Sequence, residues 1–264
     1  MGQNRDRVLV MSVDEEEVSY SRKTTKRTRQ GGVKPAIKEK FKEERKIPPL
    51  TAKTKAQVDY IKSLEINKIS IASGHSGCGK SYVAAYKAAQ MLLDDTIERV
   101  YITRPYAHLG KDYGATSGND FEKLEPFCKP ILEVFRRVLG DAKYNYMLAK
   151  GSLSIAPLEK IQGRSFDEPC AVICDESQCA TKPQLLSLVT RIGEGVEFLA
   201  ILGDPRQAIS QGRNALDWIT DFFVRNQIGG VGVTYFTEED CVRSGIVRDI
   251  LIAFEKEGGF YNQL

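Results

Sequence analysis

The sequence predicts an α/β protein whose mostly parallel β-sheet is covered by helices on both faces. Short apolar runs alternate along the chain with longer amphipathic stretches. The short runs are apolar almost throughout, which is typical of strands that are buried on both faces. Because strands and helices alternate, parallel pairing through crossover connections is expected. A chain of 264 residues suits one such three-layer domain.

The predicted elements follow one another from residue 54 onwards. An opening helix over Thr54–Ile66 carries Val58, Ile61 and Leu64 at helical spacing. The predicted strands are Lys68–Ala72, Arg99–Thr103, Ser152–Ala156, Ala171–Cys174, Phe198–Leu202 and Val231–Phe236. The later helices are Lys80–Leu93, Glu125–Leu139, Lys182–Ile192, Ala215–Arg225 and Glu239–Lys256.

The composition divides the chain into a basic arm, residues 1–48, and an ordered domain, residues 49–264. Eleven Lys or Arg residues and three Glu residues lie between positions 21 and 48, while the whole chain carries only +3. The arm is polar and interrupted by Gly-Gly and Pro, so we expect it to be mobile, with a short helix over 36–46. Clustered cations favour a nucleic-acid tether. A solvated tail or a subunit-contact arm is the alternative.

Several classes of protein are disfavoured by composition. There is no apolar run of about eighteen residues, so no membrane span is expected. The first residues carry acids and lack a long apolar core, unlike a secretory signal. The six cysteines form no CxxC pair. Because no secretory signal is recognised, we expect a reducing, cytoplasmic compartment and free thiols. The spacing of Cys170, Cys174 and Cys179 fits no usual zinc pattern.

A phosphate-binding loop follows the first predicted strand. The segment GHSGCGKS matches the pattern G-x-x-x-x-G-K-[ST], between an apolar strand and an alanine-rich helix. Glycines allow the backbone N–H groups to turn towards phosphate oxygens, and the helix N-terminus adds partial positive charge. Lys80 is expected to reach the β- and γ-phosphates, and the Ser81 hydroxyl to coordinate Mg²⁺. The alternative is a glycine turn before a helix. The predicted nucleotide-binding residues are Gly74, His75, Ser76, Gly77, Cys78, Gly79, Lys80 and Ser81.

An acidic pair ends the fourth predicted strand, in the arrangement of a Walker B motif. Asp175 and Glu176 follow the apolar run Ala171–Cys174 directly. Asp175 is expected to hold Mg²⁺, and Glu176 to orient and deprotonate the attacking water. Such a strand end is common by itself, but together with a P-loop it favours hydrolysis over binding alone.

The fifth predicted strand ends in Gly203-Asp204-Pro205-Arg206-Gln207. A side-chain amide beyond a neighbouring strand end, here that of Gln207, can detect the γ-phosphate or position water. The alternative is an ordinary Gly-Asp-Pro turn.

The segment 105–123 has no periodicity and several glycines. A structureless loop of this length is usually functional or mobile, and an ordinary surface insertion is the alternative. Tyr106, Tyr113 and Phe121 either stack on bases or pack the loop against the domain. His108 has no partner that the sequence makes evident.

These motifs, in this order, resemble the PhoH family of P-loop ATPases, which is related to the core of superfamily-one helicases. The resemblance extends from about Thr51 to Glu255. Besides the P-loop and the acidic box with Gln178, the matching positions are Gln57, Arg104, Pro105, Gly110, Gly118, Lys123, Pro126, Pro130, Gly163, Arg164, Ser165, Arg191, Gly203, Asp204, Gln207 and Arg243.

The sequence departs from the family pattern at a few positions. Ser177 replaces the alanine of the acidic box, and Ser81 replaces threonine. Ala208-Ile209 and Ser244 stand where an acid and a histidine are common, which weakens any transfer of substrate preference. The compact form resembles members carried by bacteriophages, which would act in the host cytoplasm.

The resemblance implies a RecA-like fold, ATP hydrolysis with Mg²⁺, single-stranded RNA or another nucleic acid as partner, and a homo-oligomer, a hexameric ring. Gln57 could then read the adenine. Arg191 and Arg243 are candidate catalytic cations, acting within the subunit or from a neighbour, and surface salt bridges are the alternative. Competing functions are a nucleotide-gated binding or scaffold protein with little turnover, and a P-loop kinase.

Overall fold

The computed structural model describes residues 49–106, 120–163, 165–208 and 214–257. The helices are α1 (Lys55–Ile66), α2 (Lys80–Leu93), α3 (Asp120–Leu139), α4 (Asp141–Lys150), α5 (Lys182–Val189), α6 (Ala215–Asn226) and α7 (Gly245–Lys256). The strands are β1 (Ile69–Gly74), β2 (Arg99–Arg104), β3 (Leu153–Pro157), β4 (Cys170–Cys174), β5 (Val196–Gly203) and β6 (Val231–Phe236). The basic arm, His108, Tyr113, Arg164 and most of the segment 105–123 lie outside the described residues.

The six strands form one sheet in the order β3-β2-β4-β5-β1-β6. Every pairing between neighbouring strands is parallel. The carboxyl ends of all six strands therefore lie along one edge of the sheet. The strand β5 lies between β1, which leads into the P-loop, and β4, which leads into the acidic pair.

Both faces of the sheet are covered, because alternate strand residues point into two separate apolar cores. Ile173 of β4 packs in the core that α1, α2, α3 and α4 cover. Its neighbour Val172 packs in the second core, with residues of α5 and α6. These layers confirm the predicted three-layer α/β class. No helix in the described part of the chain combines the length and the apolar character needed to cross a bilayer.

Four helices differ from the sequence-based expectation. The helix α5 ends at Val189 instead of Ile192. The helix α4 was not predicted, and only its Tyr144 and Met147 are buried, so its apolar pattern is weak. The helix α3 begins at Asp120, before the expected Glu125, and includes two prolines. The helix α7 begins at Gly245 instead of Glu239, because residues 238–240 form a separate 3₁₀ turn that is closed by Thr237 and Asp240.

The buried hydroxyl of Tyr60 provides a test of the first core. Tyr60 of α1 is fully buried, with its ring edge-on to Phe236 at 6.0 Å between centroids. Its hydroxyl has no hydrogen-bond partner among the described residues. Removing an unsatisfied buried hydroxyl is neutral or favourable. We therefore expect Tyr60→Phe to leave the free energy of unfolding in urea unchanged or to raise it by up to about 1 kcal/mol.

The matched control for this prediction is Tyr101→Phe. The Tyr101 hydroxyl donates to Glu168 Oε1, so its loss should lower the free energy of unfolding by about 0.5–1.5 kcal/mol. If Tyr60→Phe lowers stability as much as Tyr101→Phe, the Tyr60 hydroxyl is satisfied and the prediction is wrong.

Candidate functional site

The P-loop has the backbone conformation that its glycines predict. Gly74, Gly77 and Gly79 have φ values of 135°, 81° and 81°. A Cβ atom on Gly74 would lie 1.9 Å from the carbonyl oxygen of Phe236 in the adjacent strand β6. Only glycine therefore allows β1 to turn into the loop at this position.

The side chain of Gln57 is hydrogen-bonded to the backbone of the P-loop. Its Nε2 donates to the carbonyl oxygen of Cys78 at 2.9 Å, and its Oε1 accepts from the backbone N–H of Lys53 at 2.7 Å. The residue is 5% exposed. Since both ends of the amide contact the protein itself, this structure gives Gln57 a positioning role. Recognition of adenine by Gln57 stays a prediction and would require these contacts to be exchanged.

The ammonium group of Lys80 folds back onto the start of the P-loop. Lys80 Nζ donates to the carbonyl oxygens of Gly74 at 2.7 Å and of His75 at 2.6 Å. Burial lowers the pKa of Lys80, while the neighbouring acidic groups, among them Asp204 and Asp175, act in the opposite direction. A bound phosphate would offer this cation a charged partner in place of two neutral carbonyl groups.

The two predicted magnesium ligands are in contact. Ser81 Oγ donates to Asp175 Oδ1 at 3.0 Å, which joins the start of α2 to the end of β4. Burial raises the pKa of Asp175, and Glu176 raises it further, whereas Arg104 and the Ser81 hydrogen bond lower it. A hydroxyl and a carboxylate are hard oxygen donors of the kind that Mg²⁺ prefers, so this pair fits the ion.

The carboxylate of Glu176 is held from two sides. The residue adopts a left-handed backbone conformation with φ 54°, which turns the chain sharply after β4. Glu176 Oε1 lies 3.3 Å from Arg104 Nη2, and Glu176 Oε2 accepts from Gln178 Nε2 at 2.7 Å. Gln178 also accepts, through Oε1, from the backbone N–H of Asp204 at 3.2 Å. Gln178 thus connects the predicted base to the end of β5.

The predicted sensor Gln207 lies beside the P-loop, although it does not contact it directly. Gln207 Nε2 donates to Asp204 Oδ2 at 3.2 Å. The same oxygen accepts from the backbone N–H of Ser76, a loop residue, at 3.2 Å. The segment after β5 therefore adjoins the loop after β1, as the position of β5 in the sheet requires.

Arg206 contacts the P-loop through His75, and the sequence analysis did not predict this contact. Arg206 Nη1 contacts His75 Nε2 and donates to Glu255 Oε1 of α7 at 3.0 Å. His75 Nε2 also lies 3.3 Å from Glu238 Oε2. Burial lowers the pKa of His75, with a further contribution from Arg206. Arg206 could have been suspected from its place between Asp204 and Gln207, but nothing in the sequence links Glu255 to the loop.

The two candidate arginines occupy different places. The Arg243 side chain passes over Gly77, since a Cβ atom there would lie 3.0 Å from Arg243 Nε. Arg191 lies between α5 and β5, at the amino edge of the sheet, where its Nε donates to Ser187 Oγ at 3.3 Å. The structure brings Arg243 to the P-loop of its own subunit, and it does not bring Arg191 there.

The described aromatic residues of the segment 105–123 pack against the domain. Tyr106 and Phe121 are partly buried and contact the first apolar core. The backbone N–H of Tyr106 also donates to Glu159 Oε1 at 3.1 Å. For these two side chains, the structure favours packing over base stacking.

The geometry defines the class of protein. A strand, a glycine loop with Lys80 and Ser81, and an acidic strand end meet at one edge of a parallel sheet, which is the arrangement of a P-loop nucleotide-binding protein.

The comparison with known families identifies the family within this class. The family model described as PhoH-like protein matches residues 49–255, and the chain belongs to this family. It is 34% identical over 216 residues to Protein PhoH of Escherichia coli strain K12, which covers 81% of this chain and 60% of that protein. It is 27% identical over 248 residues to a PhoH-like protein of Bacillus subtilis strain 168, which covers 94% of this chain and 77% of that protein.

Solved structures show a more distant likeness. The UvsW helicase from Bacteriophage T4 has a TM-score of 0.45 at 14% identity, over 70% of this chain and 59% of that chain. The large terminase from the thermophilic bacteriophage D6E has a TM-score of 0.46 at 13% identity, over 75% of this chain and 49% of that chain. Likeness at this level indicates no function, and the bacteriophage form stays a prediction.

The raised pKa of Asp175 predicts a pH-dependent cost to stability. The Asp175 carboxyl keeps its proton to higher pH in the folded protein than in the unfolded chain. The free energy of unfolding therefore has its full contribution from this protonated carboxyl below the ordinary pKa of 3.8. That contribution is lost as pH rises through the pKa of Asp175 in the folded protein. Asp175→Asn stays neutral and should raise the free energy of unfolding of the ligand-free protein at neutral pH, by about 1 kcal/mol.

Urea denaturation at a series of pH values measures this effect, and Ser81→Ala is the control. Ser81→Ala removes the hydrogen bond to Asp175 but keeps the carboxylate, so this variant should be less stable than the parent. Because that hydrogen bond lowers the Asp175 pKa, the pH dependence of its stability should be at least as large as that of the parent, whereas Asp175→Asn should lose it. A difference between Asp175→Asn and the parent that does not grow as pH rises from the acid range would contradict the prediction.

Proposed function

We propose that this protein hydrolyses ATP with Mg²⁺ and couples hydrolysis to binding or unwinding of single-stranded nucleic acid, in particular RNA. The observation that carries the hydrolytic part is the 3.0 Å contact between Ser81 Oγ and Asp175 Oδ1. Two candidate Mg²⁺ ligands from separate elements are already adjacent, and the candidate base Glu176 is the next residue in the chain.

Each residue has one role in this proposal. The backbone N–H groups of the P-loop and Lys80 bind the β- and γ-phosphates, while Ser81 and Asp175 hold the metal. The bound Mg²⁺ would neutralise charge on the phosphate oxygens. Glu176 accepts the proton of the attacking water. Gln207, at the neighbouring strand end, positions that water or contacts the γ-phosphate.

The arginines support the proposal in different ways. Arg243 passes over Gly77, so it can add positive charge near the phosphates within the same subunit. Arg191 lies at the opposite edge of the sheet and could reach a nucleotide only in a neighbouring subunit. We therefore propose a head-to-tail homo-oligomer. A hexameric ring is the expected form, because a heterologous contact whose rotation closes generates a ring.

The nucleic-acid partner is supported by charge. The excess of Lys and Arg between residues 21 and 48 would bind phosphate backbones through counterion release. A cytoplasmic location is part of the same proposal.

The first test is steady-state ATP turnover with and without single-stranded RNA. We expect Mg²⁺-dependent turnover that RNA increases. Lys80→Ala and Glu176→Gln should each lower turnover by about 100-fold or more, because they remove a phosphate-binding cation and the general base. Lys87→Ala is the matched control on α2. Lys87 pairs with Glu65 at 2.6 Å on the surface, away from the loop, so turnover should not change.

The outcomes separate this proposal from its alternatives. Tight ATP binding with very slow turnover, and partner capture only with ATP, would indicate a nucleotide-gated scaffold. Transfer of labelled phosphate to a second substrate in place of water would indicate a P-loop kinase. Undiminished turnover in both Lys80→Ala and Glu176→Gln would place the active site elsewhere.

Mixing variants tests the trans role of Arg191. Arg191→Ala should lower turnover by about 1,000-fold if the side chain acts as a finger in the neighbouring site. A mixture of Arg191→Ala with Lys80→Ala should regain activity, because one subunit supplies the loop and the next supplies the arginine.

The control mixture is Lys80→Ala with Glu176→Gln. Both of these substitutions lie in the same site, so mixing them should restore nothing. Failure of the first mixture to regain any activity, in particles that still assemble with a non-hydrolysable ATP analogue, would exclude the trans role.

A further inference from the structure

The carboxylate of Asp204 is the meeting point of donors from two loops. Asp204 Oδ2 accepts from the backbone N–H of Ser76 and from Gln207 Nε2, each at 3.2 Å. Asp204 Oδ1 accepts from the backbone N–H of Arg206 at 3.2 Å and from Arg206 Nε at 3.0 Å. The residue is 5% exposed, so water does not replace these contacts.

The two groups that donate to Asp204 Oδ2 are also groups that could donate to the terminal phosphate of a nucleotide. The Ser76 N–H belongs to the P-loop, whose backbone donors bind phosphate in this class of protein. Gln207 is the side chain that the proposed function places at the attacking water or the γ-phosphate. The charge of Asp204 also acts on Lys80, since it counters the lowering of the Lys80 pKa by burial. An anionic oxygen of the protein thus accepts from two donors that the proposal gives to the nucleotide.

We propose that the Asp204 carboxylate is an internal substitute for the terminal phosphate, which the γ-phosphate of ATP must displace from Ser76 N–H and Gln207. This inference rests on the proposed nucleotide site and adds a determinant of specificity to it. ADP has no γ-phosphate and leaves Asp204 in place, so the exchange acts on the triphosphate alone.

The exchange has a consequence for the product state. Two anions cannot share the same donors without strong repulsion, because like charges at contact distance repel each other strongly at the effective dielectric of a protein surface. After hydrolysis, Asp204 competes with the released phosphate for Ser76 N–H and Gln207. Asp204 therefore favours phosphate release and limits inhibition by inorganic phosphate.

The decisive measurement is the ratio of affinities for a non-hydrolysable ATP analogue, AMP-PNP, and for ADP, both with Mg²⁺, by direct binding to the full chain. Asp204→Asn keeps the shape and removes the charge, and Asp204→Ser keeps the hydroxyl cap of the following turn. Both should increase the AMP-PNP preference about tenfold or more, since the γ-phosphate no longer displaces a charged competitor. Inorganic phosphate should also bind the ADP complex of these variants more tightly.

Two control variants separate this exchange from general electrostatics. Asp204→Glu retains the negative charge and should not increase the AMP-PNP preference. Glu238→Gln removes a carboxylate that lies 3.3 Å from His75 but contacts neither donor on Asp204 Oδ2, so its ratio should equal that of the parent. Thermal unfolding of each variant without nucleotide checks that the fold is kept.

The outcomes are distinct. An unchanged ratio in both Asp204→Asn and Asp204→Ser, or equal weakening of AMP-PNP and ADP, would overturn the exchange and leave Asp204 as the cap of a turn. If the parent hydrolyses ATP while the ratio does not move, only this inference fails. If the parent binds neither nucleotide, the proposed function fails as well.

Discussion

The parallel pairing of β1 with β5 on one side and β6 on the other is the constraint on which the candidate site depends. In this register Ser73 lies beside Gly203, and Gly74 lies beside Phe236. The loops after the three strands therefore begin at the same height above the sheet. The P-loop follows β1, the Asp204–Gln207 segment follows β5, and the segment that leads to Arg243 follows β6. A slip of one residue in either pairing would separate these loops.

The site concentrates charge in a buried region, and the charges hold one another in place. Lys80, Arg104 and Asp204 are almost completely buried at the carboxyl ends of the strands, and Asp175 is partly buried beside them. Isolated buried charges are strongly unfavourable, and pairing and hydrogen bonding offset much of that cost. Arg104 pairs with Glu176, Ser81 donates to Asp175, and Lys80 donates to loop carbonyls. Nucleotide binding would exchange part of this network for contacts with phosphate and metal. The site is therefore organised but electrostatically costly.

The two candidate arginines lie at opposite ends of the strands, which gives them different proposed roles. Helix α5 runs from the acidic pair back to the amino edge, and Arg191 lies beyond its end. The length of the strands thus separates this side chain from the P-loop of the same subunit. Arg191 can contribute to catalysis only in the site of a neighbouring subunit, because it cannot reach its own P-loop. Its catalytic role and the head-to-tail oligomer therefore form one hypothesis. Arg243 needs no such partner.

The sequence by itself determined the fold class, most of the strands and the nucleotide loop. These depend on local rules: apolar runs, glycines that permit positive φ before Lys80, and acids directly after the strand Cys170–Cys174. Only the tertiary structure decided which distant groups meet. Three contacts join residues that are far apart along the chain and that no periodicity connects: Gln57 with Cys78, Ser76 with Asp204, and Arg206 with Glu255. The physical reason is that strand order and register, which no local pattern encodes, set the positions of these side chains.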